Sequence, residues 1–498
     1  MKFRNVVIRS NGRAVRAHLM ASWLPNSITA SRVLLLGVTV SLLGGCVVQH
    51  IPPAPLDPVA TAASLEGRTL SDDGLRHFLA DNLHQDPTPW PKTSWDFETL
   101  SWVAFYYHPS LEVARAQWES AHAAIRTAGE PPNPSLSLAP GYNTNPDAGV
   151  SPWFPAVNMD FLISTAHKGD KHVATAEAAA ESARQNVVAA AWKVRGDLRQ
   201  ALNDWDIAQR KSALLDAQEE TQWRVLELMD QRLKSGTISQ ADVAVTRIAV
   251  ARAESQAAEA RQQLPTARQH VAQALGLPVG ALPEKGFTTA PPTPALNPSQ
   301  LTAARRLALQ SRSDVQAALA RYASSEAALT EELAKQYPDM HLGPGYQWDQ
   351  GADKWSLAVT FDLPVFNRNQ GPIAEAVAHR KEAAADFLSV QAGIIAEIDG
   401  AVAEQTAAAD RLMRLARIQQ ALQRQLSSLK ARLAAGAADQ LEVRTAELEV
   451  SADALARLDA EAQVAAAAGH LEDALQIPFA HLETLIAPAR IGLSQSSP

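Results

Sequence analysis

An internal repeat constrains this sequence more than any other feature. With an offset of 200 residues, Arg232, Leu233 and Gly236 recur as Arg432, Leu433 and Gly436. The same offset holds over a long stretch, where it pairs Val194 with Ile394, Leu198 with Ile398, Leu215 with Leu415, Leu226 with Leu426 and Val243 with Val443. Self-similarity at a fixed period indicates one supersecondary unit that occurs more than once. The sequence therefore predicts a duplicated fold.

Farther upstream the offset of the repeat changes. Four residues there match their counterparts with an offset of 204, namely Pro134, Leu138, Gly141 and Tyr142 with Pro338, Leu342, Gly345 and Tyr346. The region around these residues therefore differs in length between the two copies, while the rest of the unit keeps one length.

Two long segments without proline, 171–234 and 373–434, carry apolar residues spaced by three and four, which predicts very long helices. At 1.5 Å per residue each would be roughly 95 Å long, far longer than a compact core. Gly236 and Gly436 follow these helices and are expected to reverse the chain, because glycine accepts the left-handed conformation that ends a helix. Shorter helices are predicted at 110–128 and 240–275, and again at 314–335 and 440–475.

Four segments alternate between apolar and small or polar residues and predict strands at 135–142, 157–161, 340–348 and 355–363. About 10 residues suffice to cross a bilayer when a strand is tilted. The aromatic residues Tyr142, Trp153, Trp348 and Trp355 lie near one end, as an interfacial belt would require. A soluble sandwich with one buried face is the alternative. Four strands cannot close a barrel in lipid, whereas three copies would supply twelve.

The N-terminus has the features of an export signal. Basic residues precede the apolar run 33–43, which is too short for a membrane-spanning helix and ends before Cys46, the single cysteine. The cysteine and the small residues before it resemble the lipobox of bacterial lipoproteins, which implies lipidation of Cys46. An incidental cysteine inside a cleaved signal is the alternative. The net charge of −8 gives no indication of nucleic-acid binding.

These features divide the chain into five segments. We expect a signal peptide at 1–45 and a lipidated, proline-rich tether at 46–95. The two copies of the repeat would then occupy 96–290 and 291–480, and a C-terminal tail would follow at 481–498.

The residues at 337–346 and 361–376 resemble the TolC family of outer-membrane efflux proteins, and the second segment includes Asn367, Arg368, Asn369, Gln370 and Gly371. This resemblance implies a homotrimer with a twelve-stranded barrel in the outer membrane and a tube of twelve helices in the periplasm. The fold class is then mainly α with a small β part. The implied function is passive conduction from a resistance-nodulation-division pump of the inner membrane, through a periplasmic adaptor, to the exterior.

The resemblance also implies an entrance on the periplasmic side, ringed by acidic residues that correspond to Asp242 and Glu442. The alternative is that each carboxylate only compensates a helix dipole. Asp160 and Asp362 are expected on the polar strand face, either as solvated residues of the lumen or at its rim. The sequence contains no catalytic constellation, and we expect no metal site and no cofactor.

Two other functions are compatible with parts of the pattern. A lipid-anchored periplasmic adaptor would also combine a lipobox with a helical hairpin, although adaptors usually have one hairpin rather than two. A channel of the same fold could instead serve type I protein secretion. The sequence leaves the substrate open among drugs, metal ions, organic acids and peptides.

Overall fold

The computed structural model describes residues 50–84, 86–283, 286–289 and 296–478. The predicted signal peptide, Cys46 and the tail at 481–498 lie outside these residues. The chain divides into two compact units at Thr61 and Ala62, and the second contains all elements from residue 67 onward. Among the described residues, no helix combines the length and the apolar character needed to span a bilayer.

The prediction of a tether over 46–95 is wrong from residue 58 onward. Residues 51–57 are irregular, as expected, but helices α1 (Pro58–Glu66) and α2 (Asp73–Leu83) follow. Leu75 and Leu79 are fully buried, because their spacing of four residues places them on one face of α2. Trp95 is also buried, so the folded part of the chain begins well before residue 96.

Among its described residues, the first repeat contains the predicted elements, one additional α-helix and a short 3₁₀ helix at Val279–Ala281. Asp96 caps the additional helix by accepting a hydrogen bond from the Thr99 backbone N–H at 2.8 Å. The elements are α3 (Phe97–Tyr107), α4 (Pro109–Gly129), β1 (Ser135–Tyr142), β2 (Trp153–Ile163), α5 (Lys168–Lys234) and α6 (Gln240–Leu275).

The second repeat has the same order of elements. Its additional helix begins with a capping box, in which the Asn297 side chain and the Gln300 side chain each accept from the other's backbone N–H. The elements are α7 (Pro298–Ser311), α8 (Ser313–Ala334), β3 (Met340–Asp349), β4 (Ala352–Phe361), α9 (Gln370–Ala434) and α10 (Gln440–Leu475).

The two long hairpins, α5 with α6 and α9 with α10, are packed alike where their return helices end. Val194 and Ile394 are 1% and 2% exposed, and they lie in separate cores where each return helix ends beside its long partner. Leu275 and Leu475 are fully buried in the same two cores. The offset of 200 residues therefore corresponds to equivalent packing in three dimensions.

The flanks of the two long helices differ. Helix α5 packs against α4, α6, α8 and α10, whereas α9 packs mainly against α8 and α10. Consistent with this, Leu215 and Leu226 on α5 are buried, while Leu415 and Leu426 on α9 are only half-buried. One side of α9 has no neighbour in the described chain.

Candidate functional site

The four strands form one antiparallel sheet in the order β1-β2-β3-β4 with two chemically different faces. Directly opposed residues of neighbouring strands have their side chains on the same face, so the register shows on which face of the sheet each side chain lies. One face is almost entirely apolar and includes Leu136, Leu138, Val157, Phe161, Leu342, Leu357, Val359 and Phe361. The other face carries small and polar residues, among them Ser137, Asn158, Asp160, His341, Gln347, Ser356 and Thr360.

An aromatic cluster lies at the end of the sheet where the connecting loops are. Tyr142 contacts Trp153 with ring centroids 4.9 Å apart, and Tyr346 contacts Trp355 at the same distance. These two pairs and Trp348 lie on the apolar face, and Trp355 is 80% exposed. The aromatic residues predicted from sequence, Tyr142, Trp153, Trp348 and Trp355, thus lie at one end of the sheet, together with Tyr346. Because the offset of 204 aligns Tyr346 with Tyr142, the repeat contained the signal for this fifth residue.

At the opposite end, Asp160 lies on the polar face and is joined to His341. The Nδ1 atom of His341 is 2.9 Å from Oδ2 of Asp160, and both side chains are half-exposed. Our placement of Asp362 on the strand face is wrong in the single chain, because β4 ends at Phe361. Residue 361 pairs with Met340, the first residue of β3, so Asp362 has no partner strand to extend along.

The segment between β4 and α9 is held by its own amide side chains. Asn369 adopts a left-handed conformation and donates its side-chain N–H to the Glu332 carbonyl at 2.8 Å, which fixes the start of α9. The Asn369 backbone N–H donates to Asn367, and the Arg368 backbone N–H donates to Gln370. Gly371 has open space around its Cα position and an ordinary backbone conformation. In this motif the left-handed backbone position before α9 is therefore occupied by Asn369 and not by Gly371.

The hairpin tips are built alike, as the repeat predicts. Gly236 and Gly436 have φ values of 75° and 72°, the left-handed region that glycine favours. In the first tip the Gly236 N–H donates to the Leu233 carbonyl and the Thr237 N–H donates to the Arg232 carbonyl, and the second tip repeats both bonds. This pattern satisfies the last carbonyls of each long helix.

The two acidic residues near the tips have different surroundings. Asp242 accepts hydrogen bonds from the Ser239 hydroxyl at 2.7 Å and the Ser239 backbone N–H at 3.0 Å, and these bonds lower the pKa of Asp242. Glu442 is exposed, and Asp439 caps its helix instead. Arg232 forms an ion pair with Asp439, which connects the first tip to the second. Asp242 thus takes part in the capping box that starts α6.

A buried charge cluster joins α5 to α10, and the sequence analysis missed it. Arg199, which is 5% exposed, donates to the Gly469 carbonyl at 3.0 Å and to Asp473 at 3.1 Å. Arg195 donates to Glu472 at 2.6 Å. Burial raises the pKa of Asp473 although both arginines oppose the shift. In the sequence these residues have the same spacing as solvated charges on a helix, so nothing distinguished them.

Within the described residues, no group of three or more histidine, cysteine or acidic side chains could hold a metal ion. The site consists of a two-faced sheet at one end of two helical hairpins and of acidic tips at the other end. The chain therefore has an apolar and a polar face on its sheet, and charged residues at the tips of its hairpins.

Comparisons with known proteins agree with this architecture. The family model described as "Outer membrane efflux protein" matches residues 104–277 and 304–475. The cobalt-zinc-cadmium resistance protein CzcC of Cupriavidus metallidurans is 25% identical over 291 residues, which cover 56% of this chain. The match spans 65% of the length of CzcC, just under two thirds.

Two solved structures illustrate the similarity of fold. The outer membrane protein VceC of Vibrio cholerae has a TM-score of 0.62 at 20% identity, over 77% of this chain and 96% of VceC. The Campylobacter jejuni CmeC outer membrane channel has a TM-score of 0.61 at 14% identity, over 86% of this chain and 93% of CmeC. At these identities the similarity establishes the fold.

Proposed function

The chain belongs to the outer membrane efflux protein family, and on this basis we propose that three copies form the outer-membrane channel of a tripartite efflux pump. The channel would receive substrates from an inner-membrane pump of the resistance-nodulation-division type through a periplasmic adaptor, and conduct them passively to the exterior. Cys46 would carry the lipid that anchors each N-terminus in the outer membrane. No step of this function requires catalysis or a cofactor.

The two faces of the sheet are the observation that carries this proposal. A closed barrel in a membrane needs an apolar outside and tolerates a polar inside, which is the division between the two faces here. In the described chain β1 pairs only with β2, and β4 pairs only with β3, so both outer strands have a free edge. An open edge cannot remain in lipid. Three sheets of four strands would close a barrel of twelve.

Expression of epitope-tagged protein, followed by membrane fractionation and mild crosslinking, tests this proposal. We expect a trimer in the outer-membrane fraction. When cells are grown with a labelled fatty acid, the unmodified protein should incorporate the label and the Cys46→Ser variant should not. A monomer extracted with the inner membrane would instead support the adaptor alternative. Secretion of a protein substrate that stops on deletion, with drug and metal tolerance unchanged, would support type I secretion.

We also propose that Asp242 and Glu442 form an acidic ring at the periplasmic entrance, near the tips at Gly236 and Gly436. Three copies of each carboxylate around one axis would favour cations over anions. Replacement of both residues by alanine is expected to raise the single-channel conductance and lower the cation preference in planar bilayers. Ser239→Ala is the control, because it removes the capping partner of Asp242 and keeps the charge. Equal effects of both variants would assign Asp242 to capping alone.

Divalent metal ions are the substrate class that we propose. The similarity to a cobalt-zinc-cadmium resistance protein supports it. So does the His341–Asp160 pair on the polar face, because imidazole and carboxylate are ligands that zinc accepts. Two ligands bind weakly, as conduction requires. A deletion strain should become sensitive to cobalt, zinc and cadmium; sensitivity to hydrophobic drugs alone would contradict this substrate class.

A further inference from the structure

The segment that follows β4 exposes an unusual amount of apolar surface. Leu363, Val365 and Phe366 are 70%, 65% and 96% exposed. Beside them is a cavity of about 590 Å³ lined by residues from α8, this segment and α9, including Leu333, Gln336, Arg368 and Ile373. Contiguous exposed apolar surface of this kind usually marks an interaction site.

The same chain shows how the equivalent segment is covered in the first repeat. Strand β2 continues three residues past its last partner in β1 and pairs there only with β3, so that Phe161 lies opposite Leu342 and Ile163 opposite Met340. Here the far end of β2 is stabilised entirely by the start of β3.

Polar contacts then fasten the loop after β2 to the residues before β3. The Thr165 hydroxyl donates to the Pro338 carbonyl at 2.7 Å, and the Thr165 backbone N–H donates to Asp339 at 2.9 Å. The Lys168 ammonium donates to Asp339 at 2.8 Å and to the Tyr337 carbonyl at 2.6 Å. This junction therefore combines strand pairing with a set of hydrogen bonds.

The internal repeat indicates which residues form the equivalent junction at the free edges of the sheet. His167 and Asn369 are both left-handed and immediately precede α5 and α9, so the loops correspond with an offset of 202. The starts of β1 and β3 correspond with the offset of 204 found in the sequence. By this correspondence the counterpart of β3 next to β4 is β1 of another copy, since β1 of the same chain lies at the opposite edge of the sheet.

We propose that Asp362–Phe366 continues β4 in the assembly by pairing with β1 of a second copy of this chain, with Val365 opposite Leu136 and Leu363 opposite Leu138 of the neighbouring copy. Asn367 and Gln370 take the positions of Thr165 and Lys168, and face the neighbour's segment 133–135. That segment covers the cavity beside Phe366. The inference rests on the trimer of the proposed function and specifies its interface.

The chemistry of the two faces supports this register independently. Leu363 and Val365 have the same parity as Phe361, which lies on the apolar face, and their assigned partners Leu136 and Leu138 lie on that face as well. A slip of one residue would place apolar side chains opposite polar ones. The register also explains why β4 ends at Phe361 in the single chain: β3 begins at Met340, and only a second copy can pair with the residues beyond.

Cysteine crosslinking in outer membranes tests the register. Asp362→Cys combined with Ala139→Cys places two thiols directly opposite, at about 4.5–5.5 Å between Cβ atoms. The matched control, Asp362→Cys with Ser137→Cys, shifts one thiol by two residues on the same face to a diagonal at about 7–8 Å, beyond the ordinary reach of a disulfide. Within one chain β1 and β4 are three strand spacings apart, about 14 Å, so neither pair can close internally.

We expect covalent trimers on a denaturing gel for the first pair and monomers for the control pair. Single-cysteine variants control for Cys46. If the protein remains a trimer in mild detergent and the first pair does not crosslink, or the control crosslinks better, the register is wrong while the channel proposal stands. If no trimer forms in the unmodified protein, the proposed function itself fails.

Discussion

In the proposed trimeric channel, we expect the ion pair between Arg232 and Asp439 to help hold the two hairpin tips of each chain together. The two side chains are 35% and 44% exposed, so the pair belongs to the weak, solvent-screened class. One such pair contributes about 0.2–1 kcal/mol. In a trimer with three pairs that open together, loss of all of them would shift the ratio of open to closed tips by about 3-fold to 150-fold.

Arg232→Ala is therefore expected to raise the open probability in planar bilayers within that range, and to do so less at high salt. The repeat supplies the matched control. Arg432 is the counterpart of Arg232 but donates to the Ala437 carbonyl of its own hairpin at 3.1 Å. Arg432→Ala should leave the open probability nearly unchanged. Equal effects of the two variants, or no effect of Arg232→Ala at low salt, would refute the reasoning.

Three further variants, the last with a matched control, test other parts of the structure. Arg199→Met leaves Glu472 buried with one cation fewer and should lower the free energy of unfolding by about 3–5 kcal/mol, measured by denaturant titration of tryptophan fluorescence. Burial raises the pKa of Asp339, but the hydrogen bonds from Thr165 and Lys168 outweigh burial and hold this pKa below its usual value. The ionised carboxylate therefore stabilises the fold above pH ~4, and this stabilisation is lost as the pH falls through the folded-state pKa. Asp339→Asn should lower the thermal midpoint at pH 7 and remove this acid dependence. Gly236→Ala should cost about 1–2 kcal/mol per tip because of its positive φ, whereas Gly371→Ala, which meets open space, should leave the midpoint unchanged.

The bounds of the long elements could be predicted because local signals coincide there. Both return helices begin and end at the predicted residues, since Gly236 and Gly436 end the preceding helix and a capping residue, Ser239 or Asp439, starts the next. These helix-ending and capping residues also occur in both copies of the repeat, so each prediction was supported twice. Long helices with caps at both ends are the part of a fold that sequence determines most locally.

The remaining errors concern features that depend on contacts between distant segments. The segment around Leu75 and Leu79 has the composition of a tether, because its few apolar residues become buried only in the core that they share with α3, α5 and α6. The end of β4 before Asp362 depends on where β3 begins. The buried ion pairs of Arg199 depend on the approach of α10 to α5. None of these contacts leaves a periodic trace in the sequence.

The unequal flanks of the two long helices affect the chain before it reaches its final membrane. Helix α5 finds neighbours on both sides within its own chain, so the first hairpin can fold as soon as the chain is exported. Helix α9 leaves Met413 and Ile418 half or more exposed until other copies arrive. A monomer in transit therefore exposes apolar residues along the free side of its second long helix, and that helix is where holding chaperones would bind and where premature aggregation would begin.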